Sequence, residues 1–280
     1  MATLIDDSTR NFHLSGTDFE MIREIIYRLS GIQLSEHKRE LVYSRLTRRL
    51  REYGLPTFKS YIDFLNGPEG SVELEHMVNA LTTNLTSFFR EKHHFDHLTN
   101  AALPSVLGDP GAPNRRLRIW SSACSTGEEP YSIATTLLES EFDWQRIDVR
   151  ILATDLNTDV LKQAAEGRYT ATVMKKSPDS CRKYFEWTPE GHAEASRRIK
   201  SLISFKQLNL LNPWPMKGRF DVIFCRNVLI YFDTETKNKL VDRFVDILNP
   251  KGWLYLGHSE SASGNHPGLE LIGQTTYRKI

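Results

Sequence analysis

The spacing of apolar residues changes along the chain, from a helical period near the amino terminus to alternating strands and helices later. Between about Ser15 and Met77 apolar side chains recur every three or four positions, which is typical of short amphipathic helices. The groups are Phe19, Ile22, Ile25, Ile26 and Leu29, then Val42, Leu46, Leu50 and Tyr53, then Phe58, Tyr61 and Leu65. No strand-like run occurs before Leu117. This part of the chain is therefore predicted to be a small all-helical domain.

Beyond Leu117 apolar strands alternate with helical segments, which predicts an α/β fold with a doubly wound, mostly parallel sheet. Residues 104–113 are rich in proline and glycine and are predicted to form a loop before the first strand. A second interruption, at about residues 169–206, contains prolines and glycine but no long helical pattern, which indicates a small inserted subdomain. The predicted domains are a helical domain at 14–78, a linker at 79–90 and an α/β domain at 91–280.

A loop of small residues follows the first predicted strand and leads directly into a helix. An apolar strand at 117–120 precedes it, and the small side chains at 125–127 allow the backbone to approach a bound molecule. The loop lacks the G-x-G-x-x-G pattern of dinucleotide sites. It places Glu128 and Glu129 at the helix start, where carboxylates suit the helix dipole but would repel a pyrophosphate. The pattern favours a ligand with hydroxyl groups or a positive centre.

Polar side chains also follow two later strands and occupy one upstream segment. A second strand ends on Asp155, where a carboxylate is the group expected to bind ribose hydroxyls. A third strand ends on Arg226 and Asn227, which need hydrogen-bond partners if the strand is buried. Each residue alone has an ordinary explanation: a helix entry for Asp155, a salt bridge for Arg226 and a core position for Tyr231. The upstream segment at 84–90, Asn-Leu-Thr-Ser-Phe-Phe-Arg, could by itself be an interdomain connector.

Several separated segments occur in one order along nearly the whole chain. They are His37-Lys38-Arg39-Glu40, residues 84–90, the loop at 125–132, Asp155, Asn209-Leu210-Leu211, the strand end at 225–232 and Gly257-His258-Ser259-Glu260. In this combination the chain resembles the CheR family of chemotaxis receptor methyltransferases. The resemblance implies the Rossmann-like fold of S-adenosylmethionine-dependent methyltransferases, and it implies that the insert is a small β-subdomain.

The resemblance also implies a function and a set of site residues. The enzyme would transfer the methyl group of S-adenosylmethionine to glutamate carboxylates of chemoreceptors and leave S-adenosylhomocysteine, and no metal is expected. Arg90 and Tyr231 would be catalytic and face the reacting centre. Two alternatives stay open: methylation of another protein substrate, and S-adenosylmethionine binding by a sensor without turnover. The implied cofactor contacts are Asn84, Thr86, Arg90, Glu129, Asp155, Asn209, Leu210, Arg226 and Asn227.

The predicted helix at 36–51 carries an excess of positive charge. Its basic side chains gather away from the apolar stripe, and a solvated face is the ordinary explanation. In the family this helical domain contacts the receptor, whose methylated helices are rich in glutamate, so the resemblance implies a receptor-binding role. Nucleic acid is not expected as a partner, because the net charge is +1 and the pI is near 7.8. The implied receptor-binding residues are Lys38, Arg45, Arg48, Arg49 and Arg51.

The composition fits a soluble globular protein of 280 residues, 40% apolar and 25% charged. No run approaches the roughly 18 apolar residues of a membrane span, and the start lacks a leader pattern, so we expect a cytoplasmic protein without membrane insertion. Cys124, Cys181 and Cys225 lie far apart without C-x-x-C spacing, which favours structural packing over a disulfide framework or a zinc site. We expect a monomer whose partner is the cytoplasmic helical region of methyl-accepting chemoreceptors.

Overall fold

The structure, a computed structural model, describes residues 12–108, 115–262 and 266–280. The chain divides into two units, with the boundary between Thr83 and Asn84. The described part of the first unit is all-helical, as predicted. Its helices are α1 (Gly16–Ser30), α2 (Arg39–Glu52), α3 (Phe58–Leu65) and α4 (Gly70–Leu81), and a 3₁₀ turn at Glu36–Lys38 precedes α2.

Local sequence sets where α1 begins and ends. The Ser15 hydroxyl accepts the N–H of Asp18 while the Asp18 carboxylate accepts the N–H of Ser15, which is a capping box. The helix ends at Gly31, whose φ of 71° is a left-handed conformation that glycine adopts without strain. The buried faces of the unit carry most of the apolar residues that the periodicity identified, including Phe19, Ile22, Ile26, Val42, Leu46, Leu50, Phe58 and Tyr61. Tyr53 is an exception, because it follows the last residue of α2 and is 40% exposed.

The second unit contains a large sheet and a small one. Its strands are β1 (Arg115–Ser121), β2 (Ile147–Asp155), β3 (Arg168–Thr170), β4 (Phe185–Trp187), β5 (His192–Ala195), β6 (Ile203–Gln207), β7 (Phe220–Cys225), β8 (Leu248–Leu256), β9 (Leu269–Gly273) and β10 (Thr276–Lys279). The described residues place seven strands in the large sheet, in the order β6-β2-β1-β7-β8-β10-β9. The strands from β6 to β8 are parallel, and β10 and β9 add an antiparallel edge. This confirms the predicted mostly parallel sheet.

Helices connect these strands, so the sheet is buried by crossover segments. They are α5 (His93–His97), α6 (Leu103–Leu107), α7 (Glu128–Glu139), α8 (Thr158–Glu166), α9 (Ala171–Lys175), α10 (Asp179–Arg182), α11 (Arg197–Lys200) and α12 (Thr234–Ile247), with 3₁₀ turns at Trp144–Arg146 and Leu229–Tyr231. β7 is buried along its whole length, as expected for a central parallel strand. None of the helices in the described ranges combines the length and apolar character that a membrane span requires.

The loop predicted at residues 104–113 is wrong in its first part. A π-helical turn at Leu98–Ala102 continues into α6, so residues 104–107 are helical. Pro104 is tolerated because it lies in the first turn of α6, where a missing N–H removes little hydrogen bonding. Residues 109–113 of the predicted loop lie outside the described residues.

The predicted insert contains the small sheet, in which β5 pairs antiparallel with β3 and β4. A small β-subdomain therefore exists, but its strands end at Ala195. β6 pairs with β2 in the large sheet, so the predicted insert at about 169–206 extends too far at its carboxyl-terminal end. The alternation of the apolar residues Ile203 and Phe205 is a strand pattern, which the prediction overlooked. The predicted linker likewise begins too early, since α4 extends through Leu81.

Candidate active site

Polar side chains gather at the carboxyl-terminal edge of the large sheet. Because β6, β2, β1, β7 and β8 are parallel, the residues that follow them lie along one edge. β1 lies between β2 and β7, and further strands continue on either side, so this edge contains the topological switch point where open α/β sheets bind ligands. The polar residues at these strand ends are Glu129 after β1, Asp155 at the end of β2, Asn209 after β6, Arg226 and Asn227 after β7, and Glu260 after β8.

The loop between β1 and α7 has an unusual backbone. Ser125 has a φ of 49° and Gly127, the residue before α7, a φ of 97°, both in the left-handed region. A Cβ on Gly127 would lie 2.8 Å from the hydroxyl of Tyr169, so only glycine fits there without a shift. Ser121 at the end of β1 donates a hydrogen bond to Glu129 Oε1 at 2.7 Å. The loop thus holds Glu129 against the end of β1.

Asp155 organises the adjacent loop through backbone hydrogen bonds. Its Oδ2 accepts the N–H of Ser125 at 2.8 Å, and its Oδ1 accepts the N–H of Asn157 at 2.9 Å. Burial nevertheless raises the pKa of Asp155, against these backbone donors. The Ser125 hydroxyl donates to the backbone oxygen of Asn84 at 3.0 Å, which joins the predicted 84–90 segment to the loop. Each carboxylate oxygen has a second lone-pair position, so Asp155 can also accept from a ligand hydroxyl.

Arg226 is the central charge of the site, and its side chain is 1% exposed. Nη1 donates to Glu129 Oε2 at 3.0 Å, and Nη2 lies 3.2 Å from Glu91 Oε2. Nη2 also donates to the backbone oxygen of Arg90. The guanidinium therefore links the start of α7 to the segment that carries Arg90. Its two carboxylate partners supply the hydrogen bonds that a buried arginine at a strand end was predicted to need.

The two carboxylates beside Arg226 respond differently to the same positive charge. Burial alone would raise the pKa of Glu91, but the charge of Arg226 and a hydrogen bond from Asn227 outweigh it, so the pKa is lowered. Burial raises the pKa of Glu129, and Arg226 and Ser121 offset that effect only in part. Both side chains are 12% exposed, but Glu91 accepts hydrogen bonds from Asn227 and the backbone of His258 as well as from Arg226, whereas Glu129 has only Ser121 and Arg226 as donors in the described contacts. The site thus contains one firmly ionised carboxylate and one that takes up a proton more readily.

The 84–90 segment, predicted to be part of the cofactor site, and Glu91 directly after it are strained and fixed by α7. Phe89 and Glu91 have φ values of 53° and 55°, which are unfavourable for residues with a Cβ. The N–H of Phe89 donates to the Ser132 hydroxyl on α7 at 2.9 Å, and Arg90 Nη1 donates to the Leu85 oxygen at 2.9 Å. The backbone therefore holds Arg90 in a defined place, while Thr86 is half-buried in the same segment.

The remaining predicted cofactor residues follow β6 and β7. Asn209 Oδ1 accepts the N–H of Leu211 at 3.0 Å, and Leu210 is buried. Asn227 has a φ of 57°, a conformation that asparagine tolerates better than most residues, and its amide nitrogen donates to Glu91 Oε1 at 3.2 Å. Tyr231 is half-buried in the 3₁₀ turn that follows.

The predicted receptor-binding residues belong to the first unit and fall into two groups. Arg49 Nε and Nη2 donate to the fully buried Glu73 at 2.9 and 2.5 Å, and Arg45 Nη1 donates to the backbone oxygens of Ala80 and Thr82. These two arginines tie α2 to α4 and its end. The other predicted residues, Lys38, Arg48 and Arg51, are exposed.

A cluster next to Arg226 has metal-like composition. Glu91, His93 and His94 place a carboxylate and two imidazoles within 4.8 Å of one another. Arg226 lies 3.2 Å from the same carboxylate and would repel a cation there. Burial, helped by the charge of Arg226, lowers the pKa of His94 to about 3, so this histidine is neutral at physiological pH. Glu91 in this cluster is better explained as the charge partner of Arg226 than as a metal ligand.

Sequence reasoning gave no role to three residues that this site uses. Glu91 pairs with Arg226, Ser121 supports Glu129, and Glu260 accepts backbone hydrogen bonds from the loop after β7. Glu91 directly follows the 84–90 segment, and Glu260 ends the Gly-His-Ser-Glu motif, so both had a local signal. Their partners in the loop after β7 lie at least 30 residues away in the chain, which local patterns do not reveal.

Comparison with known proteins decides the family. Residues 17–82 match the domain family described as CheR methyltransferase, all-alpha domain, and residues 84–278 match CheR methyltransferase, SAM binding domain. The chain belongs to the CheR methyltransferase family. It is an S-adenosylmethionine-dependent methyltransferase, and the resemblance and fold predicted from the sequence are confirmed.

Relatives of this CheR methyltransferase are similar over nearly their full length. A protein named chemotaxis protein methyltransferase 2 from Pseudomonas aeruginosa is 43% identical over 275 residues, which cover 96% of this chain and 95% of that one. The chemotaxis protein methyltransferase of Escherichia coli K12 is 39% identical, covering 98% and 95%. That of Salmonella typhimurium is 40% identical, covering 96% and 92%. The residue roles in the site remain predictions.

Proposed function

We propose that this CheR methyltransferase transfers methyl groups from S-adenosylmethionine to glutamate side chains of chemoreceptors. The observation that carries the proposal is Arg226, buried between Glu91 and Glu129 at the switch point of a CheR SAM-binding domain. The names of the relatives, which are chemotaxis protein methyltransferases, support the role in chemotaxis. The proposed partner is the cytoplasmic helical region of methyl-accepting receptors.

The charges at the strand ends suit S-adenosylmethionine. The described site sets three carboxylates, Glu91, Glu129 and Asp155, against the one buried guanidinium of Arg226, so it favours a ligand with positive groups. Ribose hydroxyls can donate to Asp155, as in other α/β nucleoside sites. When bound, S-adenosylmethionine supplies an activated methyl group. The proposed cofactor contacts are Asn84, Thr86, Arg90, Glu129, Asp155, Asn209, Leu210, Arg226 and Asn227.

The proposed acceptor needs little chemical activation. A glutamate side chain with a pKa of about 4.3 is already a carboxylate at neutral pH, so no strong general base is required. Alignment of a carboxylate oxygen and exclusion of water then provide much of the rate. Arg90 has five N–H donors, and its bond to Leu85 uses one of them, so it can hold a carboxylate. Tyr231 can donate one further hydrogen bond.

Labelled methyl transfer tests the proposed reaction. The protein is incubated with methyl-labelled S-adenosylmethionine and the cytoplasmic fragments of candidate receptors, and we expect label on the receptor that alkali releases. Alkali-stable label would indicate methylation of another group, and unlabelled receptors with intact cofactor binding would favour the sensor alternative. Full activity of the double variant Arg90→Ala, Tyr231→Phe would remove the roles assigned to these two residues.

The proposed receptor surface consists of the exposed basic residues near and on α2. Lys38, Arg48 and Arg51 are the suitable test positions, because replacing Arg45 or Arg49 would also remove contacts inside the first unit. Alanine at the three exposed positions should lower receptor methylation most at low salt and leave cofactor affinity unchanged. The matched control replaces Arg28 and Lys59, exposed cations elsewhere in this unit. The test set removes three charges and the control set two, so an equal effect per charge removed would show that only overall charge matters.

A further inference from the structure

Glu260 is a buried carboxylate that accepts hydrogen bonds only from backbone groups in the described contacts. Its Oε2 accepts the N–H of Gly257 at 2.7 Å and the N–H of Asn227 at 2.8 Å. Its Oε1 accepts the N–H of Ile230 at 3.2 Å. Only 6% of the residue is exposed. A single side chain therefore fastens the loop after β8 to the loop after β7.

This carboxylate has no cationic partner among the residues in the described ranges. Its negative charge is balanced by the N–H dipoles of the loop from Asn227 to Ile230, which includes the first residues of the 3₁₀ turn. Burial raises the pKa of Glu260, against these backbone donors. A buried charge that serves no ion pair is unfavourable for stability, so its presence calls for another explanation.

The loop that Glu260 holds carries two proposed site residues. Asn227 is held at a φ of 57°, and its N–H is one of the groups bonded to Glu260. Tyr231 ends the 3₁₀ turn whose Ile230 N–H is bonded to the other carboxylate oxygen. Removal of the carboxylate would therefore release both residues at once, without any direct contact between Glu260 and a ligand.

Gly257 makes this close approach of the two loops possible. A Cβ on Gly257 would lie 2.5 Å from the Asn227 amide nitrogen, 2.8 Å from the Asn227 backbone nitrogen and 2.8 Å from Glu260 Oε2. The backbone nitrogen cannot move without moving Asn227 itself. A glycine is thus required where the loop after β8 passes Asn227.

We propose that Glu260 is a positioning residue, which fixes Asn227 for cofactor binding and the Tyr231 turn for methyl transfer. The inference rests on the proposed roles of Asn227 and Tyr231 in the site. In the Gly-His-Ser-Glu motif, Gly257 allows the loops after β7 and β8 to approach each other, and the Glu260 carboxylate accepts the backbone hydrogen bonds that hold them together.

The first experiment measures S-adenosylmethionine affinity and the kinetics of methyl transfer for Glu260→Gln and Glu260→Ala. Glutamine keeps the length but turns one acceptor into a donor, so we expect about a tenfold rise in KM for the cofactor and a severalfold fall in kcat, with a larger effect for alanine. The matched control is Asp221→Asn. Asp221 is a buried carboxylate at the opposite end of β7 that accepts the N–H of Arg118 at 2.8 Å. It should lower the melting temperature and leave KM within about twofold.

A double-mutant cycle with Asn227→Ala separates positioning from general stability. If Glu260 acts through Asn227, Glu260→Gln should weaken cofactor binding about tenfold in the wild-type background but less than about threefold in the Asn227→Ala background. Additive effects would overturn the inference. A loss of affinity that tracks the melting temperature and occurs equally in Asp221→Asn would overturn it as well.

The outcomes distinguish this inference from the site assignment on which it rests. If Asn227→Ala leaves cofactor affinity unchanged, the assignment of Asn227 is wrong and the inference fails with it. If Asn227→Ala weakens binding while Glu260→Gln does not, only the role of Glu260 is wrong. Should the Glu260 variants be too unstable, Gly257→Ala displaces Asn227 by another route, and a normal KM in that variant would refute the proposed mechanism.

Discussion

Replacement of Arg226 by methionine should destabilise the protein strongly at neutral pH and less at acidic pH. Methionine fills most of the arginine volume but has no charge, so the change isolates the electrostatic role. Arg226 is almost completely buried and contacts Glu129 at 3.0 Å and Glu91 at 3.2 Å. Removing the arginine of such a group leaves buried carboxylates without their guanidinium partner, which typically costs about 3–5 kcal/mol.

The pH dependence follows from the protonation of the two carboxylates. An unpaired buried carboxylate can take up a proton, and at pH 7 this costs about 3.7 kcal/mol for an ordinary pKa of about 4.3, since each pKa unit is about 1.4 kcal/mol. At about pH 5 the same step costs only about 1 kcal/mol. The destabilisation by the substitution should therefore shrink by at least about 1.5 kcal/mol between pH 7 and pH 5.

The wild-type protein should respond to pH in the opposite direction at Glu91. The folded-state pKa of Glu91 is lowered, because Arg226 and Asn227 outweigh the effect of burial. A lowered pKa contributes stability that is present above the unfolded-state pKa and is lost as pH falls through the folded-state value. Between pH 7 and pH 5 the Glu91 contribution to wild-type stability is therefore retained, because it is lost only below the unfolded-state pKa of about 4.3, and the narrowing in this range comes from the variant.

Chemical denaturation of the ligand-free proteins at the two pH values measures this difference. At pH 7 we also expect a melting temperature lower by roughly 6–20 °C for a unit of this size. The matched control is Arg243→Met, because Arg243 donates only to the backbone oxygens of Leu210 and Asn212 in the described contacts and stacks on Trp214. The free energy of unfolding that Arg243→Met loses should be the same at both pH values. Equal destabilisation by Arg226→Met at both pH values would refute the reasoning about unpaired carboxylates.

Further predictions concern the loops around the site. Asp155→Ala should weaken S-adenosylmethionine binding at least about tenfold, since a hydrogen bond to a charged group is worth about 1.5–3 kcal/mol. Titration calorimetry measures this affinity, and Asp159→Ala, at an exposed aspartate, is the control. Gly127→Ala should lower the free energy of unfolding by about 2–4 kcal/mol, because the added Cβ would lie 2.8 Å from the hydroxyl of Tyr169. The control is Gly191→Ala, at a glycine that also has a positive φ but has open space around it, and it should cost only about 1–2 kcal/mol. Burial raises the pKa values of Glu129 and Asp155, so both should take up protons at a pH above about 3.9–4.3, the usual pKa range of carboxyl groups. Because protonation removes their charge, the affinity for the cofactor should already fall above that pH. An affinity that stays constant down to about pH 4.5 would contradict this.

The mostly parallel character of the large sheet and the strand-end positions of the site could be predicted from the sequence. Alternating strands and helices indicate a parallel sheet, and parallel strands bring their carboxyl ends to one edge. Asp155, Arg226 and Asn227 could therefore be assigned to one site before their contacts were known. The same local patterns misjudged residues 104–107, where proline and glycine content outweighed the ability of proline to occupy a first helical turn.

Pairings between distant side chains could not be predicted. The basic face of α2 is a local pattern, but the buried Glu73 that receives Arg49 lies 24 residues later, and nothing in the spacing shows that this arginine turns inward. Glu91 and Arg226 are still further apart, and their meeting depends on the packing of the 84–91 segment against α7. A charge pattern predicts which residues can form ion pairs, while only the tertiary fold determines which of them do.

The strained backbone of the site and its buried charges have a common consequence for stability. Phe89, Glu91, Ser125 and Asn227 all have left-handed φ values, and they are four of the six such non-glycine residues in the described ranges. Each costs about 1–2 kcal/mol relative to a relaxed conformation. Such positions persist only where neighbouring contacts hold them, and here the contacts are the hydrogen bonds to Ser132, Asp155, Glu260 and Arg226. The polar network is therefore better understood as the support of an unfavourable backbone shape than as a source of net stability, which explains why a loss of one member should destabilise the fold and impair the site together.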